Sequence, residues 1–85
     1  MSGTGRVALL LYGRRYCHLC EEMEAAVAPV AAEFGLCVRY IDIDTDPVLE
    51  EQYGARIPVL ALGDAEIAQF RADPDAVREV LARIR

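Results

Sequence analysis

Val7-Ala8-Leu9-Leu10-Leu11-Tyr12-Gly13-Arg14-Arg15-Tyr16-Cys17-His18-Leu19-Cys20 joins an apolar, strand-like run to a helical pattern and puts two thiols at the junction. Its first residues are nearly continuous in apolar side chains, as expected of a strand buried on both faces of a sheet. From Cys17 onward, Met23, Val27, Val30, Ala31 and Phe34 recur at spacings of three and four, marking an amphipathic helix that ends at Gly35. Pro29 within it is expected to bend it. The first turn of a helix carries unpaired N–H groups and the positive end of the macrodipole, and both favour a thiolate over a thiol. Cys17 can then attack a disulfide near neutral pH. Cys20, three residues on, shares its helical face and can resolve the mixed disulfide that results.

Outward from this junction the remaining elements follow. Arg6 to Tyr12 reads as the first strand and Leu36 to Ile43 as the second, with Cys37 near its start. Asp46-Pro47 signals a helix start and Gly54 its stop. Val59 to Leu62 and Glu66 to Phe70 flank Gly63-Asp64 and read as a hairpin. Asp73-Pro74 repeats the start signal, and Val77, Val80, Leu81 and Ile84 give the last helix its apolar stripe. The expected order is β-α-β-α-β-β-α. Two strands joined by a helical crossover should be parallel and the hairpin antiparallel, giving a four-stranded mixed sheet with helices on both faces. The cysteine pair then falls at the C-terminal end of the first strand, the usual site edge of an open α/β sheet.

With 85 residues, the chain has room for one domain, expected over residues 6–85 after a fraying 1–5. The longest aliphatic run, Val7 to Leu11, is far below the roughly 20 residues that cross a bilayer, and no small-residue cleavage site follows it. Three cysteines, an odd number, do not make a secreted disulfide framework. The expectation is a soluble, cytoplasmic monomer. A net charge of −5 argues against nucleic acid and anionic membranes, which both call for a basic face.

The element order, the cysteine pair after the first strand and the Ile57-Pro58 opening the third strand together resemble the thioredoxin superfamily in its smallest form, close to glutaredoxins. Leu11 to Cys20 resembles the glutaredoxin active-site approach, and Tyr53-Gly54-Ala55-Arg56-Ile57-Pro58-Val59-Leu60 resembles the thioredoxin loop that carries a cis-proline. Asp42-Ile43-Asp44 before the second helix also fits. The resemblance covers nearly the whole chain. It implies a thioredoxin-like α/β fold and a thiol–disulfide oxidoreductase with Cys17 and Cys20 catalytic. It also implies that Pro58 is a cis-proline facing them and that the Ile57 backbone pairs with a bound disulfide partner. The partner would be a disulfide-containing protein or a glutathione mixed disulfide, with no resident cofactor and glutathione as a co-substrate. Departures are visible. Glutaredoxins hold the γ-glutamyl group of glutathione on a glycine pair before the last helix, and this stretch is Gln69-Phe70-Arg71-Ala72-Asp73-Pro74. Arg56 stands where threonine is common, and Leu19 where an aromatic is. The tryptophan that precedes the thioredoxin cysteines and the buried acid of the thioredoxin first strand are both missing.

Around the pair, Arg14, Arg15 and Arg56 are expected to form a basic rim at the cysteine end of the sheet. Arg14, three residues before Cys17, is the first choice for an anion contact. His18 either lowers the Cys17 pKa as an imidazolium or is a solvated first-turn residue. Tyr12 is expected in the core, and Tyr16 on the rim as a shield for the thiol. Leu19 lies between the cysteines at the substrate side, and Cys37 is expected to be a small apolar core residue. Asp42, Asp44 and Asp46 lack the glycine and later glutamate of a calcium loop and read as strand-end and capping residues. Two rival functions stay open: a thioredoxin-fold module that binds a protein with its thiols idle, and a metal or iron–sulfur carrier, which would need a dimer to supply enough ligands.

Overall fold

The computed structural model describes residues 8–84, without the Ile84 side chain. The expected fraying of residues 1–5, the strand start at Arg6 and the burial of Ile84 therefore fall outside the described residues. The elements are β1 (Ala8–Gly13), α1 (His18–Glu33), β2 (Cys37–Asp42), a 3₁₀ turn (Ile43–Thr45), α2 (Pro47–Tyr53), β3 (Val59–Leu62), β4 (Ala65–Gln69) and α3 (Pro74–Ile84). They form one sheet in the order β2-β1-β3-β4, with β1 parallel to β2 and antiparallel to β3, and β3 antiparallel to β4. The expected mixed, four-stranded thioredoxin-like architecture is what forms.

Helix boundaries follow from local chemistry. The Asp46 carboxylate accepts from the Val48 N–H at 2.9 Å, and the Asp73 carboxylate accepts from the Asp75 N–H at 3.1 Å. Each thus satisfies an orphan donor at a helix start. Asp42 does the same for the Asp44 N–H at 2.9 Å, so Asp42 and Asp46 are capping residues as expected, whereas the Asp44 carboxylate binds Arg14 instead. α1 continues through Pro29, which is exposed, and closes when the Leu36 N–H donates to the Ala31 carbonyl and the Gly35 N–H to Ala32. Gly35 takes φ 69° there, the left-handed closure of a helix that glycine adopts without penalty. A Cβ at Gly35 would meet nothing within 4 Å, so only the backbone opposes a side chain. Gly35→Ala is expected to cost about 1 kcal/mol, read as a lower urea midpoint with an unchanged slope.

Two apolar clusters lie on opposite faces of the sheet. Leu9, Leu11 and Leu60 point to one face and meet Met23, Val27, Val30 and Ala31 of α1 and Val77 and Leu81 of α3. Tyr12 and Val59, one residue out of phase, point to the other and meet Ile43, Leu49 and Tyr53 around α2. Helices therefore cover both faces, but unequally. β1 is not buried on both: Leu9 and Leu11 are fully buried, while Ala8, Leu10 and Tyr12 are only half-buried. The reason is the length of α2, whose seven residues span only about 10 Å. The same alternation corrects Cys37. It shares the sparsely covered face with Arg39 and is exposed, at the sheet end away from the cysteine pair, opposite Ala8.

Candidate functional site

The register decides where the site residues meet. Tyr12 pairs with Val59, so the segment leaving β1 and the Ile57-Pro58 that leads into β3 emerge at the same end of the sheet. Gly13 also lies beside Asp42, the last residue of β2, and the acidic turn that follows it. The cysteine segment, the proline segment and this turn thus share one edge.

Cys17 is the N-cap of α1, with extended backbone angles, and Cys20 stands in the first turn. They form a disulfide with Cα atoms 5.2 Å apart. The Cys20 N–H donates to the Cys17 sulfur at 3.2 Å, so one of the orphan donors of the helix start is aimed at that sulfur. The two sulfurs differ in access: Cys20 is fully buried, whereas Cys17 is half-buried against the edge of the α1-face core. A partly accessible sulfur beside an enclosed one suits stepwise disulfide exchange.

Pro58 is buried, and the Ile57–Pro58 peptide bond is cis. Half-buried Ile57 packs against both apolar clusters, and the Pro58 carbonyl accepts from the Phe70 N–H at 2.8 Å. Arg56 holds this segment from outside. Its guanidinium bridges both Glu66 oxygens, at 2.7 and 3.1 Å, reaches the Gln69 side chain and the Gln52 carbonyl, and lies over the Tyr53 ring at 5.4 Å. The hydrogen bond from Arg56 pulls the Glu66 carboxyl below its ordinary value. Tyr53 in turn stacks on Tyr12, ring centroids 4.1 Å apart.

The expected basic rim is thereby corrected. Arg14 is bound to Asp44 and to Glu50, each at 3.2 Å, and Arg56 to Glu66. Both are committed to carboxylates that the acidic turn, α2 and β4 bring to the same edge, so Arg14 is not the free anion contact expected of it. Arg15 lies 5.6 Å from the Tyr16 ring centroid. Tyr16 itself is 91% exposed at φ 59°, so it projects from the turn and covers little of the disulfide. His18 turns to Glu22, 2.8 Å away, on the solvent side of α1. Tyr12 is a half-buried stacking partner, not core. Leu19 is 39% exposed and opens onto a cavity of about 210 Å³ between α1 and the segment that joins β4 to α3, lined also by Met23, Ala26, Phe70 and Ala72. Among the described residues no three His, Cys, Asp or Glu side chains gather in a way that could hold a metal ion.

Sequence reasoning passed over two residues. Tyr40 of β2 neighbours Leu11 in the register, packs against the α1-face core and donates its hydroxyl to the Arg14 carbonyl at 2.7 Å. Gly13 closes the end of β1 directly behind the disulfide. A Cβ placed on it would lie 2.5 Å from the Tyr40 hydroxyl oxygen and 2.8 Å from the Cys20 sulfur. The single glycine between Tyr12 and Arg14 was the available signal: glycine in a strand marks a close approach of other atoms to the backbone.

A family model described as a glutaredoxin-like domain (DUF836) matches residues 8–82. The chain belongs to this glutaredoxin-like family. Solved structures agree. A protein from X. campestris is 34% identical at a TM-score of 0.75, over 89% of this chain and 97% of its own. Protein Ne2328 from Nitrosomonas europaea is 32% identical at a TM-score of 0.75, over 88% and 91%. The germline-specific thioredoxin Deadhead from Drosophila melanogaster is 25% identical at a TM-score of 0.63, over 98% of this chain and 85% of its own. A glutaredoxin-like chain of thioredoxin fold with its Cys17–Cys20 pair joined as a disulfide fits redox chemistry.

Proposed function

We propose that this glutaredoxin-like protein is a thiol–disulfide oxidoreductase whose reacting pair is Cys17 and Cys20. The observation that carries the reading is the asymmetry of the pair: Cys17 caps α1, is half-open and accepts the Cys20 N–H, while Cys20 is enclosed one turn away. As a thiolate, Cys17 attacks a disulfide of the partner and forms a mixed disulfide, releasing one partner sulfur as a thiolate that takes up a proton. Cys20 then attacks Cys17, the remaining partner sulfur leaves as a thiol, and the Cys17–Cys20 disulfide remains. The partner is a disulfide-containing protein or a glutathione mixed disulfide, docked beside the Ile57-Pro58 backbone, with Leu19 and Tyr16 at the rim. An external thiol returns the pair to the dithiol, and glutathione is proposed as this co-substrate. The protein works as a cytoplasmic monomer with no resident cofactor. No helix among the described residues is long and apolar enough to cross a membrane.

The test has two parts, a thiol titration and a redox equilibrium. The Cys17 thiol is expected to ionise below the free value of about 8.5, and glutathione buffers of graded ratio should interconvert dithiol and disulfide reversibly. A Cys17 thiol at or above that value, with no disulfide formed under mild oxidant, would leave a binding module with idle thiols as the better account. Insulin reduction and turnover of a glutathione mixed disulfide then separate protein from small-molecule partners.

A further inference from the structure

Cys20 has to become a thiolate to resolve a mixed disulfide, and its surroundings oppose that. It is fully buried as part of the α1-face core, so water does not reach the charge, and burial in apolar surroundings raises a thiol pKa. Its own N–H is turned toward Cys17. The thioredoxin-type buried acid is absent from β1, where Leu9 and Leu11 point to this face.

One polar group does lie behind the pair. The Tyr40 hydroxyl and the Cys20 sulfur both border the bare face of Gly13, so close that a single methyl group would overlap both. In the disulfide form the hydroxyl donates to the Arg14 carbonyl. The hydroxyl oxygen and the sulfur are thus near neighbours across the Gly13 backbone, and a charge on the sulfur would compete with that carbonyl for the proton. The charged groups facing Tyr40 are Glu21 and Glu24 on α1 and Asp42 at the end of β2. The Arg14 guanidinium is directed away, to Asp44 and Glu50. Burial first, and these carboxylates after it, push the Tyr40 phenol above its ordinary value. It therefore stays a neutral donor. The same three negative charges disfavour a thiolate nearby, which makes a donor to Cys20 more consequential.

We propose that the Tyr40 hydroxyl is the hydrogen-bond donor that stabilises the Cys20 thiolate during resolution. The inference rests on the reading of Cys17 and Cys20 as the reacting pair. In the step it assists, the Cys20 thiol gives up its proton and the thiolate, held by the Tyr40 O–H, attacks Cys17. The bond from Cys17 to the partner breaks as the Cys17–Cys20 bond forms. The departing partner sulfur takes up a proton, so the partner is reduced and the pair is oxidised. The hydroxyl proton stays on Tyr40 and swings back to the Arg14 carbonyl once Cys20 is neutral.

Tyr40→Phe keeps the ring that packs on the core and removes only the hydroxyl. With Cys37 replaced by serine, because its exposed thiol would react on its own, an aromatic disulfide reagent added to the reduced protein releases one coloured thiolate when Cys17 attacks and a second when Cys20 resolves. The second release is expected to slow about tenfold in Tyr40→Phe, as for loss of a hydrogen bond to a charged group, with the first unchanged. In parallel, the Cβ shifts of ¹³C-labelled cysteine are followed against pH in the reduced proteins with Cys37 kept. The Cys20 midpoint should rise by about one pH unit, while Cys17 stays in place and Cys37, at the far end of the sheet, serves as reference. An unmoved Cys20 midpoint overturns the proposal. So does an equal shift of Cys17 and Cys20, which would mean that the hydroxyl acts by fixing the Arg14 segment. A Cys37→Ser protein with Tyr40 intact that never releases the second thiolate brings down the reading of the pair itself.

Discussion

Cys20→Ser is expected to convert the protein into a trap: it attacks a disulfide through Cys17 and then retains the partner as a covalent adduct. The asymmetry of the pair dictates this outcome. Cys17 keeps its place at the helix start, where the residue-20 N–H still points at its sulfur, so the attacking thiol is intact. The serine hydroxyl that replaces the buried sulfur cannot displace a partner from a disulfide. Cys17→Ser has the reverse consequence, because Cys20 is fully buried and no bulky disulfide reaches it; turnover falls to the uncatalysed background and no adduct forms on Cys20. Mass spectrometry of Cys20→Ser after exposure to an oxidised peptide or to glutathione disulfide reads the adduct directly, and a reductant should release it. An adduct on Cys20 in the Cys17→Ser protein, rather than on Cys17 in Cys20→Ser, would reverse the assignment of attacker and resolver. The adduct also identifies the partner class: enrichment of a protein adduct over a glutathione one favours protein disulfides, and the opposite favours glutathione.

The fold was legible because its decisive signals are local. The change from the Val7 to Tyr12 run to the period of Met23, Val27, Val30 and Phe34 locates β1 and α1. The Asp-Pro pairs at 46–47 and 73–74 start two helices, and Gly63-Asp64, with Gly63 at φ 61°, turns the hairpin. The pairing of Cys17 with Cys20 was legible for the same reason, since spacing along one helix start fixes their relation. The arginines were not. Nothing in the neighbourhood of Arg14 in sequence announces Asp44 and Glu50, 30 and 36 residues away, and the ion pairs arise only when β1 and β2 align. Cys37 was misread because hydrophobic pattern gives alternation but not which face a short helix leaves bare. Tyr40 looks in sequence like any strand aromatic. Its hydroxyl acquires meaning only from Gly13, on the neighbouring strand, and from Cys20, on the helix above.

Gly13→Ala tests that neighbourhood from the backbone side, and two opposed effects set its sign. Where a glycine has ordinary backbone angles, alanine stabilises a protein by about 0.4–1 kcal/mol by restricting the unfolded chain. Gly13 has no positive φ, so this gain applies. Against it stand the Tyr40 hydroxyl oxygen at 2.5 Å, the Cys20 sulfur at 2.8 Å and the Tyr40 ring carbon that bears the hydroxyl at 3.0 Å from the new methyl. Such contacts force neighbours off their places, and overpacking a filled core typically costs roughly 1–3 kcal/mol. The neighbours have little freedom to yield: Tyr40 is tied to the Arg14 carbonyl, and Cys20 is held by the first turn of α1 and by its bond to Cys17. Overpacking wins, and the urea midpoint of Gly13→Ala falls below that of the wild type. Tyr40→Phe in the same chain removes the nearest of the three atoms, so the double variant should recover part of the loss, a coupling within the roughly 0.5–3 kcal/mol seen between residues in contact. Recovery should be partial, because the sulfur contact persists. Additive losses would mean that Gly13 and Tyr40 do not share the space behind Cys20, and a Gly13→Ala protein as stable as the wild type would mean that the back wall of the disulfide gives way easily.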